Sequence, residues 1–140
     1  MSINPENICK DLKVLDENPS DKLEKMFEMQ QSLQEALGSI KAGLPIEERT
    51  ALIKDMILAT TDELHELLAR FPWKPWKSYV GFSKTEDGWK ETRMEVVDIF
   101  HFFMNLCILV DLTPKDLYNY YTSKNQENFD RIKRGYSKSR

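Results

Sequence analysis

Two pairs of acidic residues, each pair spaced three positions apart, are the part of the sequence best suited to chemistry. They are Glu63-x-x-Glu66 and Glu95-x-x-Asp98. Residues three apart project from one face of a helix, so two such helices facing each other would offer four carboxylates to one centre. Close anions repel unless hard divalent cations neutralise them, and all-oxygen coordination suits Mg²⁺ or Mn²⁺. Solvent-facing helices often carry the same spacing, which leaves a plain charged surface as the alternative.

Polar side chains also interrupt the apolar faces of the predicted helices. Gln30 and Gln34 fall near the middle of an apolar stripe. The stripe consists of Leu23, Met26, Phe27, Leu33 and Leu37. His101 and Asn105 extend the stripe of Glu95 and Asp98 along an otherwise apolar segment. A buried amide left unpaired costs about 1–3 kcal/mol, so these residues either join a hydrogen-bond network or contact a polar ligand.

A basic stripe follows near the C-terminus. Lys124, Asn128 and Arg131 lie at steps of four and three, on the face that begins with Leu117 and Tyr121. A solvated basic helix end, favourable to the helix dipole, explains this stripe without any ligand. Phosphate binding is the functional alternative.

The composition limits the class of protein. The chain of 140 residues has 20 basic and 23 acidic side chains and a net charge of −3, which suits one domain and gives no broad basic field for nucleic acid. No run of about 20 apolar residues predicts a membrane span. Cys9 and Cys107 have no metal-binding spacing, and a reducing compartment is expected. We therefore expect a soluble, cytoplasmic protein with neither nucleic acid nor a membrane as partner.

Helical spacing of apolar residues and scarce glycine predict an all-α fold, a bundle of four to five helices. The main helices run from an N-cap at Asp21 to Gly38, from Pro45 to about Arg70, from about Glu91 to Val110, and from Thr113-Pro114 to Gly135. Phe71 to Lys90 is predicted as a loop that holds all three tryptophans. Residues 1–19 are expected to form an N-terminal arm or short helix, 20–136 the domain, and 137–140 a frayed tail.

Taken together, these motifs resemble the all-α nucleoside triphosphate pyrophosphatase superfamily, and within it the branch of dimeric dUTPases and phage dCTPase–dUTPases. The matching blocks are Met29-Gln30-x-x-Leu33-Gln34, Glu63-Leu-His-Glu66, Trp73-Lys-Pro-Trp76-Lys77, Glu95-Val-Val-Asp98-Ile-Phe-His101-Phe and Lys124-Asn125-x-x-Asn128-x-x-Arg131-x-x-x-Gly135-Tyr136. They follow the family order over about residues 23–136. Gln34 stands where dimeric dUTPases typically carry Asn, which argues against strict uracil specificity. The chain also lacks the long insertion that cellular dimeric dUTPases carry before their last conserved helix.

The resemblance implies hydrolysis of dCTP, dUTP or both to the monophosphate and pyrophosphate, as a control on the nucleotide pool. It implies Mg²⁺, with Mn²⁺ as a substitute, bound by four carboxylates. These are Glu63, Glu66, Glu95 and Asp98. Either Glu63 or Glu66 would help to deprotonate the water that attacks the α-phosphorus, and the sequence does not choose between them.

The remaining site residues implied by the resemblance divide between phosphate and base. Phosphate would be contacted by Lys124 and Arg131, and in second rank by Lys74, Lys77 and Tyr136. The base and sugar would be contacted by Gln30, Gln34, Trp73, Trp76, His101, Asn105, Asn125 and Asn128. His101 has a second option, which is to orient a carboxylate ligand.

A homodimer is expected, because family members generally assemble and the apolar segment around Phe102 offers more surface than one core needs. A phage-encoded protein of this kind would act in the host cytoplasm. A dUTP-specific dimeric dUTPase is the main alternative function. A di-iron helical enzyme, suggested by Asp62-x-x-His65 and Asp98-x-x-His101, and a non-catalytic helical adaptor are more distant ones.

Overall fold

The computed structural model describes residues 20–40, 43–78 and 86–135, which form four α-helices and no strand. The helices are α1 (Lys22–Leu37), α2 (Ile46–Ala69), α3 (Glu86–Leu109) and α4 (Pro114–Lys133). The all-α prediction is confirmed. The predicted N-terminal arm, residues 1–19, and the tail, residues 137–140, lie outside the described residues, so the division of the chain stays a prediction.

Local sequence signals account for most helix ends. The Asp21 carboxylate accepts the backbone N–H of Glu24 at 3.0 Å and caps α1, while Gly38 ends that helix in the left-handed region at φ 72°. The Thr113 hydroxyl accepts the N–H of Asp116 at 3.1 Å and caps α4. The predicted starts of α1 and α4 are therefore confirmed, together with their capping chemistry.

The start of α3 differs from the prediction. The helix begins at Glu86, five residues before the predicted Glu91. Gly88 and neighbouring charged residues hide the helical pattern, since glycine is a poor helix former. Trp89 nevertheless packs edge to face on Phe71, with ring centroids 6.4 Å apart, which ties this first part of α3 to the end of α2. The predicted loop is correspondingly shorter.

Helices α2 and α3 pack against each other most extensively, and α1 packs on α3 and α4. The buried core consists of Phe27 from α1 with Met104 and Cys107 from α3. Partly buried side chains surround it: Leu23, Phe100, Ile108, Leu112 and Leu117. The α2–α3 pairing is what brings the two acidic motifs onto neighbouring helices.

The apolar stripe of α1 is only partly covered by the described residues. Phe27 is buried, but Met26, Leu33 and Leu37 are 40%, 47% and 64% exposed. The reason is that, of the described helices, α3 and α4 pack on α1 and together cover one side of it. The rest of the stripe faces away from the chain's own core.

The junction between α3 and α4 is sharp. The two helices are bent by 103° relative to each other, and Asp111 in the turn adopts a positive φ of 56°. Arg49 of α2 holds this turn through an ion pair with Asp111 at 2.6 Å. No single described helix is long and apolar enough to cross a membrane; α3 and α4 meet that criterion only as a bent pair, on length and composition alone.

A carboxylate cluster between α2 and α3 as the candidate active site

Three of the four predicted metal ligands come together between α2 and α3. Glu63 and Glu66 lie one turn apart on α2, and Glu95 reaches them from α3. One carboxylate oxygen of each lies within 4.8 Å of those of the other two. Glu63 and Glu95 are half-buried, whereas Glu66 is exposed. The group, called the carboxylate cluster below, thus has an inner side and an open edge.

Glu63 is the least compensated member of the cluster. Its Oε2 atom is buried and has no hydrogen-bond partner among the described residues. Burial raises the pKa of this carboxyl above its ordinary value, and the negative charges of Glu66, Asp98, Glu95 and Asp62 raise it further, in that order. A buried oxygen without a donor, surrounded by other anions, is what an oxygen-ligated divalent cation would satisfy.

Asp98, the fourth predicted ligand, lies one turn beyond Glu95 on α3 and is exposed. It is not one of the three carboxylates that meet within 4.8 Å. Its charge still acts on Glu63, since it contributes to the raised pKa of that group. Asp98 therefore lies next to the cluster but is not one of its members.

The sequence analysis missed Arg70, which follows the last residue of α2. Its guanidinium donates to Glu91 and, at 3.2 Å, to Oε1 of Glu95. Hydrogen bonds to Glu91 and then Glu95 are the main causes that raise the pKa of Arg70, so it stays cationic. The spacing held a signal for it, because Arg70 lies four residues after Glu66 and its two partners are four apart on α3.

The polar residues on α1 and α3 form a network. The amide of Gln30 donates to Oδ1 of Asn105 at 2.8 Å, and its oxygen lies 2.6 Å from Nδ1 of His101. Because an amide oxygen only accepts, Nδ1 of His101 carries the proton. Asn105 in turn donates weakly to the sulfur of Met56 on α2 at 3.6 Å. Three helices are joined by this chain of contacts, and His101 contacts an amide through Nδ1 instead of orienting a carboxylate through it.

Gln34 differs from Gln30 although it lies one turn further on the same face. It is 8% exposed, and no side chain in the described ranges hydrogen-bonds to its amide. The sequence left two options for these amides, a hydrogen-bond network or contact with a polar ligand. Gln30 and Asn105 form the network. Gln34 keeps its donor and acceptor available to a ligand.

The tryptophan-rich segment after α2 presents aromatic faces to solvent. Trp73 and Trp76 pack edge to face with centroids 6.0 Å apart, and Lys74 lies over the Trp73 ring at 5.4 Å. Trp76 is 75% exposed, and Lys77 is also exposed. This segment offers a stacking surface flanked by two cations.

The basic stripe of α4 lies apart from the cluster in the described structure. Its members Lys124, Asn128 and Arg131 are exposed, as is the neighbouring Asn125. Arg131 donates to Glu127 at 3.2 Å within α4. Among the described helices the backbone of α4 lies against that of α1 and not against those of α2 or α3, although Leu117 near the start of α4 packs on the core. Tyr136 lies outside the described residues.

Comparison with known proteins agrees with the site. The sequence profile of the dUTPase family matches residues 22–115, which include all of α1, α2 and α3. The dCTP pyrophosphatase of Enterobacteria phage LZ5 is 39% identical over 71 residues, covering 46% of this chain and 41% of that protein. The dCTP pyrophosphatase of Enterobacteria phage T4 is 26% identical over 142 positions, covering 83% of each chain. No solved structure gives a significant match. Since the family match spans more than half of the sequence and contains the carboxylate cluster, the chain belongs to the dUTPase family.

Proposed function

We propose that this protein hydrolyses a deoxypyrimidine nucleoside triphosphate, either dCTP or dUTP or both, to the monophosphate and pyrophosphate. The observation that carries the proposal is the meeting of Glu63, Glu66 and Glu95 around a buried, unpartnered oxygen. The family match supports a nucleotide pyrophosphatase, and the two phage relatives support dCTP as a substrate alongside dUTP.

We propose further that the cluster holds Mg²⁺, for which Mn²⁺ can substitute. Glu63, Glu66 and Glu95 would hold the ion, with Asp98 joining from the next turn of α3. When bound, the cation supplies charge neutralisation and Lewis-acid polarisation of the phosphate oxygens. Glu66 is the exposed member and therefore the better candidate to accept a proton from the attacking water, whereas half-buried Glu63, with its buried Oε2, is suited to hold the ion.

We propose that the base is bound by residues outside the carboxylate cluster. The free amide of Gln34 can present a donor or an acceptor to cytosine or uracil, and Trp76 offers an exposed stacking face. The network of Gln30, Asn105 and His101 ties α1, which carries Gln34, to α3. We propose Asn125 and Asn128 as sugar or base contacts and Lys74, Lys77 and Tyr136 as phosphate contacts.

The test of the function is pyrophosphate release from each deoxynucleoside and ribonucleoside triphosphate in the presence of Mg²⁺. We expect pyrophosphate and monophosphate from dCTP, dUTP or both, and no turnover in excess EDTA. Orthophosphate as the first product, or full activity in EDTA, contradicts the proposal. A dUTP-specific dUTPase is the second candidate, favoured by the family match, and it predicts a kcat/KM for dUTP far above that for dCTP.

We also propose that the protein is a homodimer, in which Lys124 and Arg131 of one subunit neutralise the phosphates bound by the other. Exposed apolar side chains on α1 supply an interface: Met26, Met29, Leu33 and Leu37. Light scattering should give twice the chain mass of 16.5 kDa. Leu37→Glu should lower that mass toward one chain, whereas Glu35→Gln on the same helix should not. A wild-type monomer at micromolar concentration contradicts the dimer.

Replacing Glu66 by Ala should lower turnover at least about a hundredfold, because it removes a metal ligand and a proton acceptor. Asp98→Ala should have a similar effect if Asp98 joins the ion. Circular dichroism should show an unchanged helical fold in both variants. Glu47→Ala, in the first turn of α2, is the matched control and should keep full activity. A loss smaller than threefold would exclude the replaced residue from contact with the ion.

Glu63→Gln should stabilise the protein when no divalent ion is present. The folded state raises the pKa of Glu63, so ionisation of this carboxyl destabilises the fold at neutral pH, and a neutral amide avoids that cost. We expect the variant to melt above wild type near neutral pH in EDTA. The difference should disappear as the pH falls from the raised folded-state pKa to below 4.5, where the carboxyl is neutral in both states. A lower Tm for the variant would show that the Glu63 charge is compensated.

Gln34→Asn should change the preference between dCTP and dUTP without abolishing hydrolysis. An amide edge left unpaired against a base is worth about 1–3 kcal/mol, and the carboxylates on α2 and α3 are not altered. The ratio of kcat/KM for the two nucleotides should shift at least about fivefold. Gln31→Asn, on an exposed face of α1, is the control and should leave the ratio unchanged. Equal effects of Gln34→Asn on both nucleotides would make Gln34 a packing residue.

A further inference from the structure

Arg70, at the end of α2, contacts the carboxylate cluster through Glu95, which is a member of that cluster. Its Nη2 donates to Oε1 of Glu95 at 3.2 Å, and its Nη1 donates to Oε2 of Glu91. The Glu95 side chain is only 15% exposed, whereas Glu91 is 61% exposed. Water therefore screens the pairing with Glu91 much more than the pairing with Glu95.

The backbone fixes where this guanidinium can reach. Arg70 is the C-cap residue of α2, and its N–H donates to the carbonyl of Leu67 at 3.1 Å. The following residue, Phe71, donates to Leu68 at 3.0 Å and packs on Trp89 of α3. The Arg70 side chain is thereby held one turn from Glu66 and directly opposite α3.

Glu95 thus belongs to two groups at once. One of its carboxylate oxygens lies within 4.8 Å of oxygens of Glu63 and Glu66, while Oε1 accepts a hydrogen bond from a guanidinium. A cation bound by the cluster and the cation of Arg70 would share this carboxylate and repel each other. Each therefore weakens the hold of the other on Glu95.

We propose that Arg70 is a counter-cation of the carboxylate cluster, which stabilises Glu95 in the absence of a divalent ion and opposes the binding of that ion. The inference rests on the proposed metal site. Glu91 weakens this opposition to ion binding, because it pairs with the same guanidinium and so reduces the interaction of Arg70 with Glu95. Arg70 is a positioning residue, acting on the ion through Glu95.

The test is Mn²⁺ binding to the full chain without nucleotide, by isothermal titration calorimetry. Arg70→Gln should bind Mn²⁺ at least about fivefold more tightly than wild type, since a positive charge beside the ion is removed. Glu91→Gln should bind it more weakly, because Arg70 then pairs with Glu95 alone. Arg49→Gln is the matched control: it breaks another ion pair of an α2 arginine, with Asp111 in the turn after α3, and should leave the Mn²⁺ affinity unchanged.

Arg70→Lys keeps the charge and should bind Mn²⁺ about as tightly as wild type. If Arg70→Gln folds poorly, the proposal is tested instead by the Mn²⁺ affinities of Arg70→Lys, expected to match wild type, and Glu91→Gln, expected to be weaker. If Arg70→Gln binds Mn²⁺ as tightly as wild type or more weakly, the proposal that Arg70 is a counter-cation is overturned. If neither wild type nor Arg70→Gln binds Mn²⁺, both the metal site and this inference fail. Pyrophosphate release that depends on Mg²⁺, together with unaltered Mn²⁺ binding by the variants, would overturn the Arg70 inference and leave the proposed function standing.

Discussion

Repulsion among carboxylates held close together by the packing of α2 on α3 is the constraint on which the rest of this structure depends. Two unit charges about 4 Å apart interact by about 4 kcal/mol at the effective dielectric constant typical of a protein surface. Glu63, Glu66 and Glu95 meet at comparable range, and Glu63 adds the cost of a buried oxygen without a donor. The fold tolerates this because the helix pair is packed along its length and tied at the end of α2 by Arg70 and the Phe71–Trp89 contact.

Local sequence rules were sufficient for both ends of α1, for the start of α4 and for the spacing of the acidic pairs on α2 and α3. The Asp21 and Thr113 caps, Gly38 and the helical spacing of the acidic pairs depend on neighbours within a few residues, so they can be predicted without a structure. The start of α3 could not, because its first turns carry a glycine and charged residues and are held by a tertiary contact of Trp89. Arg70 was missed for the same reason: its partners Glu91 and Glu95 lie across a helix interface.

Gln30 and Gln34 show where sequence patterns stop being informative about a site. Both are glutamines on one face of α1, one turn apart, and both are buried. Among the described residues, Gln30 lies opposite Asn105 and His101 on α3 and pairs its amide with them, and Gln34 does not. Periodicity identifies the buried face of a helix, but the partner of each polar group on that face depends on the register of the neighbouring helix. That register pairs Gln30 with Asn105 and His101, whereas contact of Gln34 with a ligand stays a proposal.

The exposed apolar residues of α1 and the basic stripe of α4 raise one common problem. Periodicity predicts an apolar face equally well whether the chain's own core or a second subunit covers it, and here Leu33 and Leu37 remain uncovered. A nucleoside triphosphate carries close to four negative charges, so binding it beside the carboxylate cluster requires cations beyond one divalent ion. Lys124 and Arg131 are cations of the right kind, on a helix whose backbone lies against α1 and not against α2 or α3 within the described residues. A second subunit on the uncovered face of α1 would bury that apolar surface, and because α4 packs on α1, the same association can bring the cations of one chain to the carboxylates of the other.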